Sequence, residues 1–151
     1  MGTIYPELIM VNMQAKDAQD AIRQTGKLFY EHGFVKDTYV DAALAREVEF
    51  PTGLQLKDIA VAMPHTDSEH VLKPGVCVVS LAEPVVFAHM GEPEKKVKAE
   101  MLFMMSILNP DEQIETLQKV LGVFQTPEVV AEFKAATDEE MLYQVAMKHI
   151  G

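Results

Sequence analysis

The sequence predicts an α/β fold in which helices pack against a central sheet. Three observations lead there: short apolar runs bounded by turn residues read as buried strands, longer segments place apolar residues at helical spacing, and the two kinds interleave along the chain. With 151 residues, 48% of them hydrophobic, the chain can bury one sizeable core and is short for two ordinary domains. A single domain over residues 1–151 is expected.

Taken in order, residues 7–13 hold the apolar centre Leu8-Ile9-Met10-Val11, an opening strand. Ala18, Ala21, Ile22, Thr25, Leu28 and Phe29 then recur at helical spacing, and Gly33 suits a C-terminal cap, which predicts a helix over 17–32. A second helix starts near Asp37-Thr38, either of which can cap it, and ends by Phe50 because Pro51 disfavours helical geometry in the residue before it. After the Pro51-Thr52-Gly53 turn, residues 58–63 read as a buried strand that stops at Pro64-His65. Residues 76–81 and 101–107 read as further buried strands, the latter open to a helical reading because of its methionines. Asn109 as cap, Pro110 in the first helical position and Glu112 in an approximate capping pattern announce a helix carrying Ile114, Leu117 and Leu121. Thr126-Pro127-Glu128 and Thr137-Asp138-Glu139-Glu140 repeat that start chemistry and give two more helices, the last with Leu142, Val145 and Ala146 as its apolar face.

Composition excludes several function classes. The 23 acidic and 13 basic residues leave a formal net charge of −10, so a phosphate backbone is repelled over most of the surface and nucleic-acid binding is not expected. No apolar run approaches the roughly 20 residues of a membrane span. The start, Met1-Gly2-Thr3-Ile4-Tyr5-Pro6, lacks the regions of a signal peptide, so a cytoplasmic protein is expected. The lone Cys77 sits in an apolar run and reads as a small buried hydrophobe.

The most informative local feature is the strand ending at Pro64-His65, since side chains just past strand ends stand at the rim of α/β sheets where ligands gather. A neutral imidazole there is a candidate nucleophile, able to take up a phosphoryl group if its other nitrogen is hydrogen-bonded; a hydrogen-bonded structural histidine is the alternative. Arg46 offers a planar fork of donors matched to phosphate oxygens, or else a surface ion pair with Asp41 or Glu49. His70 is open to an auxiliary role, to solvation, or to a metal site with His65 and Asp67 whose spacing matches no closed zinc motif. His32 and His149 read as helix-end residues, His89 as a loop residue, Lys95-Lys96-Val97-Lys98 as a solvated loop edge, and Met101, Met104 and Met105 as core filler.

The stretch Ala45-Arg46-Glu47-Val48-Glu49-Phe50-Pro51-Thr52-Gly53-Leu54, then Ile59-Ala60-Val61-Ala62-Met63-Pro64-His65-Thr66, closely resembles the fructose- and mannitol-type (type 2) IIA family of the bacterial phosphotransferase system. The resemblance continues through Asn109-Pro110-Asp111-Glu112-Gln113-Ile114 to the final helices and covers nearly the whole chain. Phe50 before Pro51-Thr52-Gly53, and His70 soon after His65, are most similar to the galactitol-type branch.

This resemblance implies a mixed sheet sandwiched by helices and a phosphotransferase working through a phosphohistidine, with no cofactor or metal. His65 would accept a phosphoryl group from the phosphocarrier protein HPr and pass it to a cysteine of a IIB component, the membrane IIC component being served indirectly. Arg46 would steady the phosphate. Where the mannitol-type pattern has a second active-site histidine, this chain has Gln113, which can donate a hydrogen bond but cannot shuttle a proton; Gln113 or His70 is the expected auxiliary. Two other readings use the same residues: a regulatory IIA-like phosphoprotein, and a metal-dependent binding module on His65, Asp67 and His70.

Overall fold

The computed structural model describes residues Thr3 to Gly151. A single turn of 3-10 helix, Pro6–Leu8, leads into β1 (Ile9–Met13), followed by α1 (Ala18–Glu31), α2 (Tyr39–Glu49), β2 (Gly53–Gln55) and β3 (Ala60–Ala62). Long β4 (Gly75–Ala88) and β5 (Lys96–Ser106) come next, then α3 (Pro110–Val123), α4 (Pro127–Ala135) and α5 (Glu139–His149). The five strands form one mixed sheet in the order β1-β4-β5-β3-β2, with β1 parallel to β4, β3 parallel to β5, and the β4–β5 and β2–β3 pairs antiparallel.

Strand alternation divides the core in two. On β4 and β5, Val76, Val78, Met101, Phe103 and Met105 point to the face covered by Val120, Phe124, Phe133 and Leu142 of α3 to α5. Cys77, Val79, Leu102 and Met104 point to the opposite face, under Ile22, Phe29, Tyr39 and Ala43 of α1 and α2. Period-two side chains on strands buried on both sides produce the continuous apolar runs seen in the sequence. All three methionines of the run are buried, as core filler should be, in a strand and not a helix. Cys77 is fully buried, and burial pushes its thiol well above the usual range, so it stays protonated.

The helix ends follow the expected chemistry except at Thr38 and Thr126, whose side chains make no cap hydrogen bond. Asp17 accepts the Asp20 N–H at the start of α1, and Asp138 does the same for Met141 in α5. Gly33, at φ +78°, closes α1: the Phe34 N–H reaches the Phe29 carbonyl and the Gly33 N–H the Tyr30 carbonyl, the paired bonds of a glycine-terminated helix. Asn109 caps α3 through the Asp111 N–H. Thr38, by contrast, precedes α2 in a helical conformation, and its hydroxyl meets His70 Nδ1 at 2.8 Å instead of capping.

Three strand readings need correction. β2, three residues long and following directly on a Pro-Thr-Gly turn, gives no alternation to read. β4 runs well past Leu81, because Glu83 and Pro84 are absorbed where the register shifts between Ser80 and Val85, a place that tolerates proline in a sheet. Lys96 and Lys98 are the start of β5 and not a loop edge, alternating as exposed positions with buried Val97 and Ala99. Among the described residues no helix is long and apolar enough to cross a membrane.

Candidate functional site

β3 and β5 are parallel neighbours, so their C-terminal ends open on the same rim of the sheet. His65 lies there, three residues past the end of β3. The end of α2 brings Arg46 to it and the first turns of α3 bring Gln113. The rim is held from within: the Met105 N–H donates to the Pro64 carbonyl at 3.0 Å, and the fully buried Tyr39 hydroxyl donates to the Met105 carbonyl.

His65 is held at both ring nitrogens. Nδ1 lies 2.9 Å from the Met63 carbonyl oxygen, which can only accept, so Nδ1 carries the proton. Nε2 lies 2.8 Å from Gln113 Nε2, whose amide N–H donates to the ring's lone pair. A neutral imidazole satisfies both partners; a doubly protonated one would set two donors against each other at Nε2. Burial lowers the pKa of His65, and the Arg46 charge lowers it further, against the Met63 carbonyl and Asp67, which raise it. An NMR titration of the histidine ring signals should therefore place the His65 midpoint below the ordinary value of about 6.5. The same midpoint should rise in Arg46→Ala; a wild-type midpoint above the ordinary range would contradict this balance.

Two clefts meet at His65. One, of about 260 Å3, is bounded by Arg46, Thr66, Asp67, Ser68 and Gln113, with Ile107 and Pro110 completing its wall. The other, of about 460 Å3, has Phe50, Met63, Met90 and Leu117 along its walls. Met90 is drawn there because its N–H bonds the Gly53 carbonyl at 2.8 Å, and only glycine fits position 53, where a Cβ would sit 2.6 Å from the Ala88 carbonyl oxygen. A larger cavity of about 650 Å3, between Gln14, Lys16, Asp20 and Glu83, includes none of these residues and is lined by no histidine or cysteine.

Arg46 pairs with neither Asp41 nor Glu49. One guanidinium nitrogen lies 3.8 Å from Asp67 Oδ1 and the group rests over the Phe50 ring, its central carbon 5.1 Å from the centroid. Its Nε is buried without a hydrogen-bond partner, the one such side-chain atom among the described residues. A buried donor left unmatched is costly, about 1–3 kcal/mol, and points to an acceptor that arrives with a ligand.

His70 goes elsewhere. Its Nδ1 meets Thr38, its Nε2 lies 3.7 Å from Glu69 Oε1, and it lines neither cleft at His65. The single 3-10 turn at Ser68–His70 carries the ring away, so five residues of sequence separation do not become proximity. His65, Asp67 and His70 do not converge, and among the described residues no group of three or more His, Cys, Asp or Glu side chains is placed to hold a metal ion. His89 sits in the loop after β4, its Nδ1 accepting the Gly91 and Glu92 N–H groups. His32 caps the end of α1, and His149, the last residue of α5, meets Glu132 at 2.9 Å.

Sequence reasoning passed over Glu47 as a site residue. Its carboxylate accepts both the backbone N–H and the hydroxyl of Thr52, each at 2.8 Å. Burial pushes this carboxyl up to about 7, further than the two Thr52 bonds pull it down. On a helix surface a Glu beside an Arg reads as solvated charge, and nothing local reveals that the chain returns at Thr52.

The match to known proteins is decided at family level. The family model for the phosphoenolpyruvate-dependent sugar phosphotransferase system, EIIA 2, matches residues 3–148. The chain belongs to this family. It is thus a phosphotransfer IIA component, as the motifs around Arg46 and His65 implied. The galactitol-specific EIIA component of Escherichia coli K12 is 28% identical over 114 residues, covering 76% of this chain and 75% of that protein. Among solved structures, the mannitol-specific cryptic phosphotransferase enzyme IIA of Escherichia coli superposes with a TM-score of 0.77 at 22% identity, covering 97% of this chain and 96% of the other. The IIA chain in the Escherichia coli complex of mannitol enzyme IIA with phosphorylated enzyme IIB gives 0.73 at 22% identity, covering 98% and 97%. At those identities the likeness is one of fold: a mixed five-stranded sheet with helices on both faces.

Proposed function

We propose that this IIA domain is a cytoplasmic phosphocarrier that accepts a phosphoryl group from phospho-HPr on Nε2 of His65 and passes it to a cysteine of a IIB component. One observation carries the reading: an imidazole whose Nδ1–H is pinned to a backbone carbonyl presents its Nε2 lone pair beside an arginine whose buried Nε has no partner. In the transfer Nε2 bonds to phosphorus as the donor's nitrogen–phosphorus bond breaks. The positive character gained by the ring sits on Nδ1–H, where the Met63 carbonyl accepts it. Arg46 offers its fork to the phosphoryl oxygens, whose charge is close to −2 once attached. Gln113 must release Nε2 for the bond to form, and its amide then becomes a donor available to the same oxygens.

A galactitol-type pathway is the transport reading supported by the 28% identity to the galactitol-specific component and by Phe50 before Pro51-Thr52-Gly53. The test is transfer from the phosphorylated chain to purified galactitol-type and mannitol-type IIB proteins. Faster transfer to the galactitol-type protein is expected; preference for the mannitol-type one overturns the sugar assignment, and transfer to neither favours a regulatory phosphoprotein.

A chain of net charge −10 meets partners best through basic surfaces. Second-order transfer from phospho-HPr should therefore slow steadily as salt rises from low to several tenths molar. A flat salt profile would leave the apolar walls at Phe50, Met90 and Leu117 as the docking surface.

A further inference from the structure

The Met63 carbonyl is what fixes the tautomer of His65, so the question is what fixes Met63. Pro64 restrains it only to an extended conformation. Its N–H is gripped by Thr52 alone, from the hydroxyl at 3.2 Å and the backbone carbonyl at 3.3 Å. Thr52 is in turn gripped by Glu47, which takes both its N–H and its hydroxyl proton. A hydroxyl has one proton, so donating it to Glu47 turns a lone pair towards the Met63 N–H and gives the chain a direction. Glu47 and Arg46 are consecutive on α2, yet Arg46 faces the cleft at His65 while Glu47 faces Thr52 and the far side, beside Ala18, Leu44 and Phe87. Thr52 and Met63 are both buried, so water is no ready substitute for either bond.

We infer that Glu47 and Thr52 are positioning residues, which hold the Met63 carbonyl where it keeps His65 in its Nδ1–H form and frees Nε2 as the nucleophile. The effect on transfer rests on the reading of His65 as phosphoryl acceptor; the effect on the ring does not. Groups that orient a reacting histidine from behind are worth roughly 10–100-fold in comparable metal-site settings, and small misplacements cost as much in transfer reactions.

The experiment uses the full chain and three substitutions. Thr52→Val keeps the shape and removes the hydroxyl, Thr52→Ser restores the hydroxyl, and Glu47→Gln keeps the shape but replaces one acceptor oxygen by a donor. Nitrogen-resolved NMR of the His65 ring reports the tautomer, and single-turnover acceptance from phospho-HPr reports the maximal rate and the donor concentration for half-saturation. The wild type and Thr52→Ser should show the Nδ1–H form. Thr52→Val and Glu47→Gln should show a mixed tautomer and a maximal rate lowered about tenfold or more, with half-saturation little changed. Should Thr52→Val fail to fold, Glu47→Gln carries the same comparison. A wild-type ring signature in the folded variants overturns the inference, whether or not transfer falls, and so does a changed tautomer with undiminished transfer. A wild-type chain that takes no phosphate defeats the functional reading instead, while the ring signature still tests the chain from Glu47 to His65.

Discussion

His65→Ala should take no phosphate from phospho-HPr, because no other group in the two clefts offers a nucleophilic nitrogen. The loss should be complete within detection, against a wild type that is fully phosphorylated. The substitution leaves the Met63 carbonyl and the Gln113 amide without their ring partner, a cost of about 1–3 kcal/mol each if they stay dry and less because the site is open to solvent at the clefts. Cooperative melting slightly below wild type is therefore expected, and full phosphorylation of a folded His65→Ala would remove the assignment. His32→Ala, His89→Ala and His149→Ala should accept phosphate normally, since those rings end a helix, brace a turn and meet Glu132. His70→Ala belongs with them: its ring serves Thr38 and not the site.

The second large effect separates Arg46 from Gln113. Arg46 carries a charge and an unmatched buried donor at the cleft, so Arg46→Ala should slow transfer on the order of a hundredfold or more, the scale for removing a well-placed donor to developing negative charge. Arg46→Lys should recover little, because an ammonium lacks the planar fork and cannot supply a donor at the buried Nε position. Gln113 acts in two opposed ways. Before transfer its amide occupies the Nε2 lone pair and stabilises the ground state, and during transfer it becomes a donor to the phosphoryl group. Each neutral hydrogen bond is worth about 1 kcal/mol, so Gln113→Ala and Gln113→His should alter the rate by no more than about tenfold. Single-turnover transfer to IIB is the measurement. Equal losses at the two positions, or normal transfer in Arg46→Ala, would overturn the division of roles.

Much of this was legible because it is local. The Asn109-Pro110 start of α3, the Gly33 closure of α1, and the apolar run stopping at Pro64-His65 each depend on neighbours within a few residues. The two-sided core then follows from strands apolar on both faces, whereas the strand order β1-β4-β5-β3-β2 depends on pairings between distant segments. What escaped depends on chain segments that meet only in the folded state. Arg46 finds Asp67 and the Phe50 ring instead of the helix neighbours suggested by spacing, because the rim of the sheet lies beside the end of α2. His70 lies near His65 in sequence and apart from it in use, because one tight turn redirects it to Thr38. The Glu47–Thr52 contact has no local signature, since a carboxylate on a helix is usually solvated and only the return of the chain after Pro51 makes it an anchor.

The proposed function rests on one chemical statement, that Nε2 of His65 is the atom that takes the phosphoryl group. Incubating the chain with phosphoenolpyruvate, enzyme I and HPr, then mapping the acid-labile phosphate by nitrogen- and phosphorus-resolved NMR, tests it directly. One phosphoryl group is expected, bonded to Nε2 of His65, with the Nδ1 signal still reporting a hydrogen bond to the Met63 carbonyl. Phosphate on Nδ1, on another side chain, or on none would contradict it.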